Sequence, residues 1–245
     1  MDRMIYLAMN GAKALTQRQD ALANNLANAN TTGFKADLMA FRAVPGREDG
    51  TATTRVYALE ASAGFDAQSG PVSQTGRPLD VAIRGSGWFV VQTPDGAEAY
   101  TRNGGFTMGP DGTLQTAAGL QVLGDGGPLV IPQNADVTIG EDGTVNARTG
   151  NQPPVQLGRI RMVNPGPGEL VKGADGLMRT STGEPAADDP AVRLSSGSLE
   201  GSNVNVVESM VGMIALARQF EMQMRLLQNA ENNEQRAAQL LSIKS

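Results

Sequence analysis

Asp188-Asp189, followed by Pro190, is the only pair of adjacent aspartates in the 245-residue sequence. Two carboxylates held together can share a proton and divide acid and base roles between them, as in a carboxylate-based hydrolase. Nothing around this pair suggests burial, so the expected reading is a solvated turn. The other parts of common catalytic sites are missing. The sequence has no His and no Cys, which removes the commonest general base, the thiolate nucleophile and the usual ligands of zinc. Arg84-Gly85-Ser86-Gly87 lacks the Gly-x-Ser-x-Gly pattern, and no His exists to activate a Ser. No phosphate-cradling loop ends in Gly-Lys-Ser/Thr. The Asp-Gly sites lack the alternating acidic ligands and later Glu of a calcium loop. These residues predict no enzyme, no cofactor and no metal.

Twenty basic against 25 acidic residues give a formal charge of −5. With no basic run, the chain is a poor candidate for nucleic acid or an anionic membrane. The start, Met1 to Asn10, is not a basic region followed by a long apolar stretch, so no cleavable signal is expected. The longest strongly apolar segment near either end is Met210 to Ala217, far short of the roughly 20 residues that span a membrane. No membrane insertion is expected.

The elements that remain to do work are the ends. Met1, Met4, Ile5, Ala8, Ala12, Leu15, Leu22 and Leu26 recur at helical spacing over the first 32 residues. Asn24, Asn25, Asn28 and Asn30 then crowd the end of that run, although Asn competes with the helical backbone. Gly33 offers a stop. From about Asn203 to the end, Val204, Val207, Val211, Ile214, Ala217, Phe220, Met224 and Leu227 carry a second stripe, continued by Glu234, Ala238 and Leu241. The step from Ile214 through Ala217 to Phe220 reads as a local overwinding. Met210, Met213, Met222 and Met224 add adaptable side chains.

Between the ends, Asp95-Gly96, Asp111-Gly112, Asp142-Gly143 and Asp175-Gly176 mark tight turns. β-prone runs flank them at Trp88 to Gln92, Val137 to Ile139 and Leu157 to Val163. The expected fold is α+β. Discontinuous N- and C-terminal helices (1–33 with 200–245) form a coiled coil. An extended, irregular connector (34–75) leads to a central antiparallel β domain (76–199).

Three blocks carry a family resemblance. Ala23-Asn24-Asn25-Leu26-Ala27-Asn28-Ala29-Asn30-Thr31-Thr32-Gly33-Phe34-Lys35 resembles the N-terminal signature of the flagellar axial proteins, the rod, hook and hook-filament junction group. Arg77 to Ile83, Gly87-Trp88-Phe89 and Tyr100 to Gly104 resemble the entry to their β domain. Gly197 to Asn205 resembles the approach to their C-terminal helix. Arg42-Ala43-Val44-Pro45, Trp88 and Phe220 to Met224 are similar to a proximal-rod member of the group.

The resemblance implies a structural subunit of the bacterial flagellar proximal rod, with a distal-rod or hook subunit as the alternative. A free-standing β-domain ligand-binding module or carboxylate-based enzyme is the reading from a different class. The resemblance further implies a helical tube whose inside is lined by paired terminal helices. It implies a rod that crosses the periplasm, transmits motor torque and reaches its place through the flagellar type III export apparatus without a cleaved signal. The implied partners are other rod proteins and copies of the chain itself. The stripes then become intersubunit surfaces, with Leu15, Leu22, Leu26, Asn28, Val207, Val211, Ile214, Phe220, Met224 and Leu227 as the interface. Within one chain, Leu15, Leu22 and Leu26 are expected to face Val207, Val211, Ile214 or their successors along the stripe. The Asn-rich run, weak as an isolated helix, is expected to be held by packing among neighbours and to stay loose in a free monomer.

Overall fold

The computed structural model describes residues 2–48 and 51–242, with side chains described for 9–40, 64–166, 168–229 and 232. Met1, and the side chains of Met4, Ile5, Ala8, Glu234, Ala238 and Leu241 expected on the two stripes, lie outside the described residues. The chain divides into two units. A helical unit comprises residues 1–27, 37–64 and 205–245, and a β unit comprises 28–36 and 65–204. The chain therefore passes between them four times, at 27/28, 36/37, 64/65 and 204/205.

In the helical unit, α1 runs Asp2–Ala27 and α2 runs Val206–Ser242. α1 stops before Asn28, whose carbonyl accepts the Thr31 N–H in a turn. α2 opens on Asn205, whose Oδ1 accepts the N–H groups of Val207 and Glu208 at 3.1 and 3.2 Å. An Asn in this position satisfies amides that the first helical turn leaves without intrahelical partners. The stretch expected to be extended and irregular is extended but not irregular over two paired strands, β1 (Asp37–Glu48) and β2 (Thr51–Phe65). The β-branched and aromatic residues Thr53, Thr54, Val56 and Tyr57 favour that state even without clean alternation. Pro45 is accommodated because both strands of a two-stranded sheet are edges.

The β unit is antiparallel wherever its strands pair. Its short strands are β3 (Val72–Gln74), β4 (Val81–Arg84), β5 (Trp88–Gln92), β6 (Glu98–Thr101), β7 (Phe106–Met108), β8 (Leu114–Thr116), β9 (Gln121–Gly124) and β10 (Gly127–Pro128). They continue as β11 (Ala135–Ile139), β12 (Thr144–Thr149), β13 (Val155–Arg159), β14 (Met162–Val163), β15 (Leu170–Lys172), β16 (Met178–Thr180), β17 (Arg193–Ser196) and β18 (Ser198–Glu200). The main sheet runs β15-β16-β6-β5-β9-β8-β7, with β10 added beside β9 and β14 beside β5. β11-β12-β13 form a second sheet, and the chain's return path pairs β17 with β4 and β18 with β3.

β5 is the strand around which the unit packs. Successive side chains of a strand point to opposite faces, and both faces of β5 are buried. Phe89 and Val91 enter one apolar cluster with Phe106, Leu114, Val122 and Ile160. Trp88 and Val90 enter another with Phe65, Tyr100, Leu123 and Met178. Each cluster holds an edge-to-face ring pair, Phe89–Phe106 at 5.2 Å and Phe65–Trp88 at 5.6 Å. Truncating a ring such as Phe89 to Ala removes about 3–5 kcal/mol. Gly104 is required for this packing, because a Cβ there would collide with the Val81 carbonyl oxygen. The four Asp-Gly turns have the positive φ expected of them, from 76° to 87°.

Candidate functional site

α1 and α2 pack against each other within the helical unit. Two close approaches fix their direction. A Cβ on Gly11 would meet the Gln223 side chain, and a Cβ on Gly212 would meet Leu22 Cδ1 at 3.0 Å. As numbering rises along α1 it falls along α2, so the helices are antiparallel. Glycines at both contacts let a longer side chain from the partner helix approach the backbone.

The residues that α1 meets are not those the apolar spacing suggests. Leu15, Leu22 and Leu26 are half-buried, and Ala14 and Asn25 are buried beside them. On α2 the covered positions are Ser209, Gly212, Met213, Leu216, Gln223 and Leu227, of which Ser209 and Leu216 are fully buried. Val207, Val211 and Ile214 lie on the opposite face, 70%, 62% and 58% exposed. The expectation that they face Leu15, Leu22 and Leu26 within one chain is therefore corrected. Phe220 and Met224 are exposed, and Leu227 is half-buried.

The overwinding read at Ala217 also disappears. Positions 209, 216 and 223 keep a spacing of seven, and the displacement came from joining residues of two faces into one stripe. The apolar spacing misled because α2 is apolar on both faces, while its inner face uses Ser209, Gly212 and Gln223. The spacing of seven from Ser209 through Leu216 to Gln223, with Gly212 between, was the available signal.

The Asn-rich segment has a reason inside the chain. The buried Asn25 side chain accepts the Asp37 N–H through Oδ1 and donates to the Asp37 carbonyl through Nδ2. Asn28 Oδ1 accepts the Thr31 hydroxyl at 3.1 Å. Packing among neighbouring copies is not needed to explain either residue.

The three sequence blocks converge on one buried ion cluster in the β unit. Lys35 comes from the first, Arg102 from the second and Glu200 from the third, and none of the three side chains is more than 3% exposed. Glu200 Oε1 accepts from Lys35 Nζ at 2.8 Å and Oε2 from Arg102 Nη1 at 3.1 Å. Lys35 also donates to the Gln68 carbonyl at 2.6 Å, and Arg102 Nη2 to the Gly85 carbonyl at 2.6 Å. The Arg102 guanidinium stands over the Trp88 ring at 5.6 Å. Burial draws the Lys35 ammonium below its ordinary pKa, against the hydrogen bond and charge of Glu200. It draws Arg102 down in the same way. Removing the shared carboxylate of Glu200 costs about 3–5 kcal/mol, because uncompensated charge stays buried. Gly33 sits beside it with φ 70°, so close that a Cβ would collide with the Arg102–Asn103 backbone. The sequence blocks contain these residues, but no spacing rule links positions so far apart in the chain.

Asp188 and Asp189 do not form a dyad. Asp188 Oδ1 accepts from Arg161 Nε at 2.9 Å, while Asp189 accepts from the Ala191 N–H at 2.8 Å and from Asn164 Nδ2 at 3.3 Å. Asp188 is 53% exposed, as expected of a solvated site, but it pairs with Val163 in a β-bridge and both carboxylates are structurally engaged. Among the described residues there is no cluster of three or more acidic side chains suited to a metal ion. No described helix is long and apolar enough to cross a membrane.

Comparison with known proteins follows the same three-part division. Residues 5–35 match the model described as flagella basal body rod protein, and 82–147 match the flagellar hook protein FlgE/F/G D1 domain. Residues 195–240 match the flagellar basal body rod FlgEFG protein C-terminal model. The flagellar basal-body rod protein FlgF of Salmonella typhimurium is 45% identical, covering 99% of this chain and 100% of that protein. FlgF of Escherichia coli is 43% identical over 99% and 100%. The flagellar basal-body rod protein FlgG of Buchnera aphidicola subsp. Acyrthosiphon pisum is 32% identical over 96% and 98%. With relatives of 43–45% identity matched over their full length, the chain belongs to the flagellar basal-body rod protein family and is FlgF-like.

Proposed function

We propose that this structural rod subunit occupies the proximal rod and assembles through the outer face of α2. The observation that carries this reading is the second face of that helix. α1 approaches Gly212 through Leu22, and Ser209 and Leu216 are buried on that side, while Val207, Met210, Val211 and Ile214 stay exposed on the other. A helix apolar on two faces calls for two neighbours. Phe220 and Met224 extend the exposed apolar surface. Leu15, Leu22, Leu26 and Leu227 pair the helices and shape the same surface from beneath. Asn28 belongs to the adjoining turn.

The partners are copies of the same chain and other axial rod proteins. Contacts that repeat head to tail build a helical tube able to carry torque from the motor. The rod crosses the periplasm, and the subunit reaches it through the type III export apparatus with no cleaved signal. No catalysis is part of this function, consistent with a chain that has neither His nor Cys. Purifying a tagged full-length chain from cells building flagella tests the placement. Recovery of axial rod proteins with it supports the reading, and recovery of the chain without any other axial protein contradicts it.

A further inference from the structure

We propose that Glu200 and Asn203 form a clamp that ties three of the four chain crossings together inside the β unit, keeping them ordered whatever the state of the helices. The crossings at 36/37, 64/65 and 204/205 are distant in sequence. Asn203 joins all three with one side chain. Its Oδ1 accepts the Ala36 N–H at 2.8 Å, and its Nδ2 donates to the carbonyls of Asp66 and Gln68 at 3.0 and 3.1 Å. The backbone repeats the tie. Asp66 N–H donates to the Ala36 carbonyl, Gly33 N–H to the Glu200 carbonyl and Gly201 N–H to the Pro71 carbonyl, each at 2.8 Å.

Glu200 anchors this junction to the β unit. Its Oε1 takes the Gly70 N–H at 3.0 Å as well as Lys35, and its Oε2 takes Arg102 from the end of β6. β18 itself is paired with β3, Glu200 opposite Val72. Every bond in the clamp lies within residues 28–36 and 65–204, so none of them depends on α1 or α2.

The charges make the clamp asymmetric. One buried carboxylate serves two buried cations, with Asp66 adding a weaker attraction on Lys35. Neutralising Lys35 leaves Glu200 and Arg102 as a matched pair. Neutralising Glu200 leaves two cations facing each other out of water, which is the costlier state. A merely space-filling cluster would not distinguish the two changes.

Amide hydrogen exchange on the full-length chain, read at single residues, tests the clamp. In the free monomer the Gly33, Ala36, Asp66 and Gly70 amides are expected to be protected to within tenfold of those in β5 and β6. Glu200→Gln is expected to speed their exchange at least tenfold, and Lys35→Met to do so by clearly less. Clamp amides exchanging as fast as those of a loosened α1, or equal effects from the two substitutions, would overturn the proposal. Should Glu200→Gln unfold the β unit, Asn203→Ala decides the matter through a milder change. Tenfold faster exchange at Ala36 with β5 unchanged supports the clamp, and unchanged exchange at Ala36 refutes it.

Discussion

Asn25 holds the backbone of Asp37 with both ends of its amide, accepting the N–H at 2.8 Å and donating to the carbonyl at 3.0 Å. The side chain thereby imitates a neighbouring strand and fastens the end of α1 to the first residue of β1. An amide carries the donor and the acceptor side by side that these two bonds need.

Replacing Asn25 by Ala is expected to remove about 1 kcal/mol from this junction, since it deletes both side-chain hydrogen bonds to the part-buried Asp37 backbone. Exchange of the Asp37 amide in the assembled protein measures the loss. An unchanged rate would show that the clasp contributes nothing.

The division into terminal helices and a turn-rich β region was legible from spacing and from Asp-Gly dipeptides, because those signals are local. The four turns place Gly96, Gly112, Gly143 and Gly176 at positive φ, as their dipeptides require. Which face of α2 meets α1 was not legible. Apolar residues line both of its faces, and the covered one is built around Ser209, Gly212 and Gln223. The cluster of Lys35, Arg102 and Glu200 was hidden for a different reason. Buried ion pairs join residues by tertiary placement, and charge alone reads as solvated surface.

Asp188 and Asp189 offer a test of the non-catalytic reading. Changing both to Ala removes the Arg161 pairing and the turn bond to Ala191, which is expected to destabilise the β unit by about 1–2 kcal/mol. Motility is expected to be retained. A chain that folds and incorporates normally but leaves cells immotile would assign these carboxylates a role in function itself.

Acid should weaken the β unit through its turns. The Asp142 carboxyl is held below its ordinary value near 3.8 by hydrogen bonds from Thr144, and Asp175 by its bond from Arg179. A folded-state pKa below the unfolded one contributes stability that is present above pH 3.8 and lost as pH falls through the lowered value. Melting temperatures are therefore expected to drop on acidification below about pH 4, and less steeply in Asp142→Asn. An identical slope in that variant would exclude Asp142 as a source of the effect.

The central claim is that α2 uses one face for its own chain and the other for its neighbours. Ile214 and Leu216 differ by two residues but lie 58% and 4% exposed. Ile214→Asp is therefore expected to leave the free chain intact, whereas Leu216→Asp buries a charge and is expected to disrupt the helical unit. The most direct measurement is incorporation of the Ile214→Asp chain into isolated basal bodies, beside circular dichroism of the free protein. The account predicts a normal spectrum and lost incorporation. Incorporation at the wild-type level, with motile cells, would contradict it.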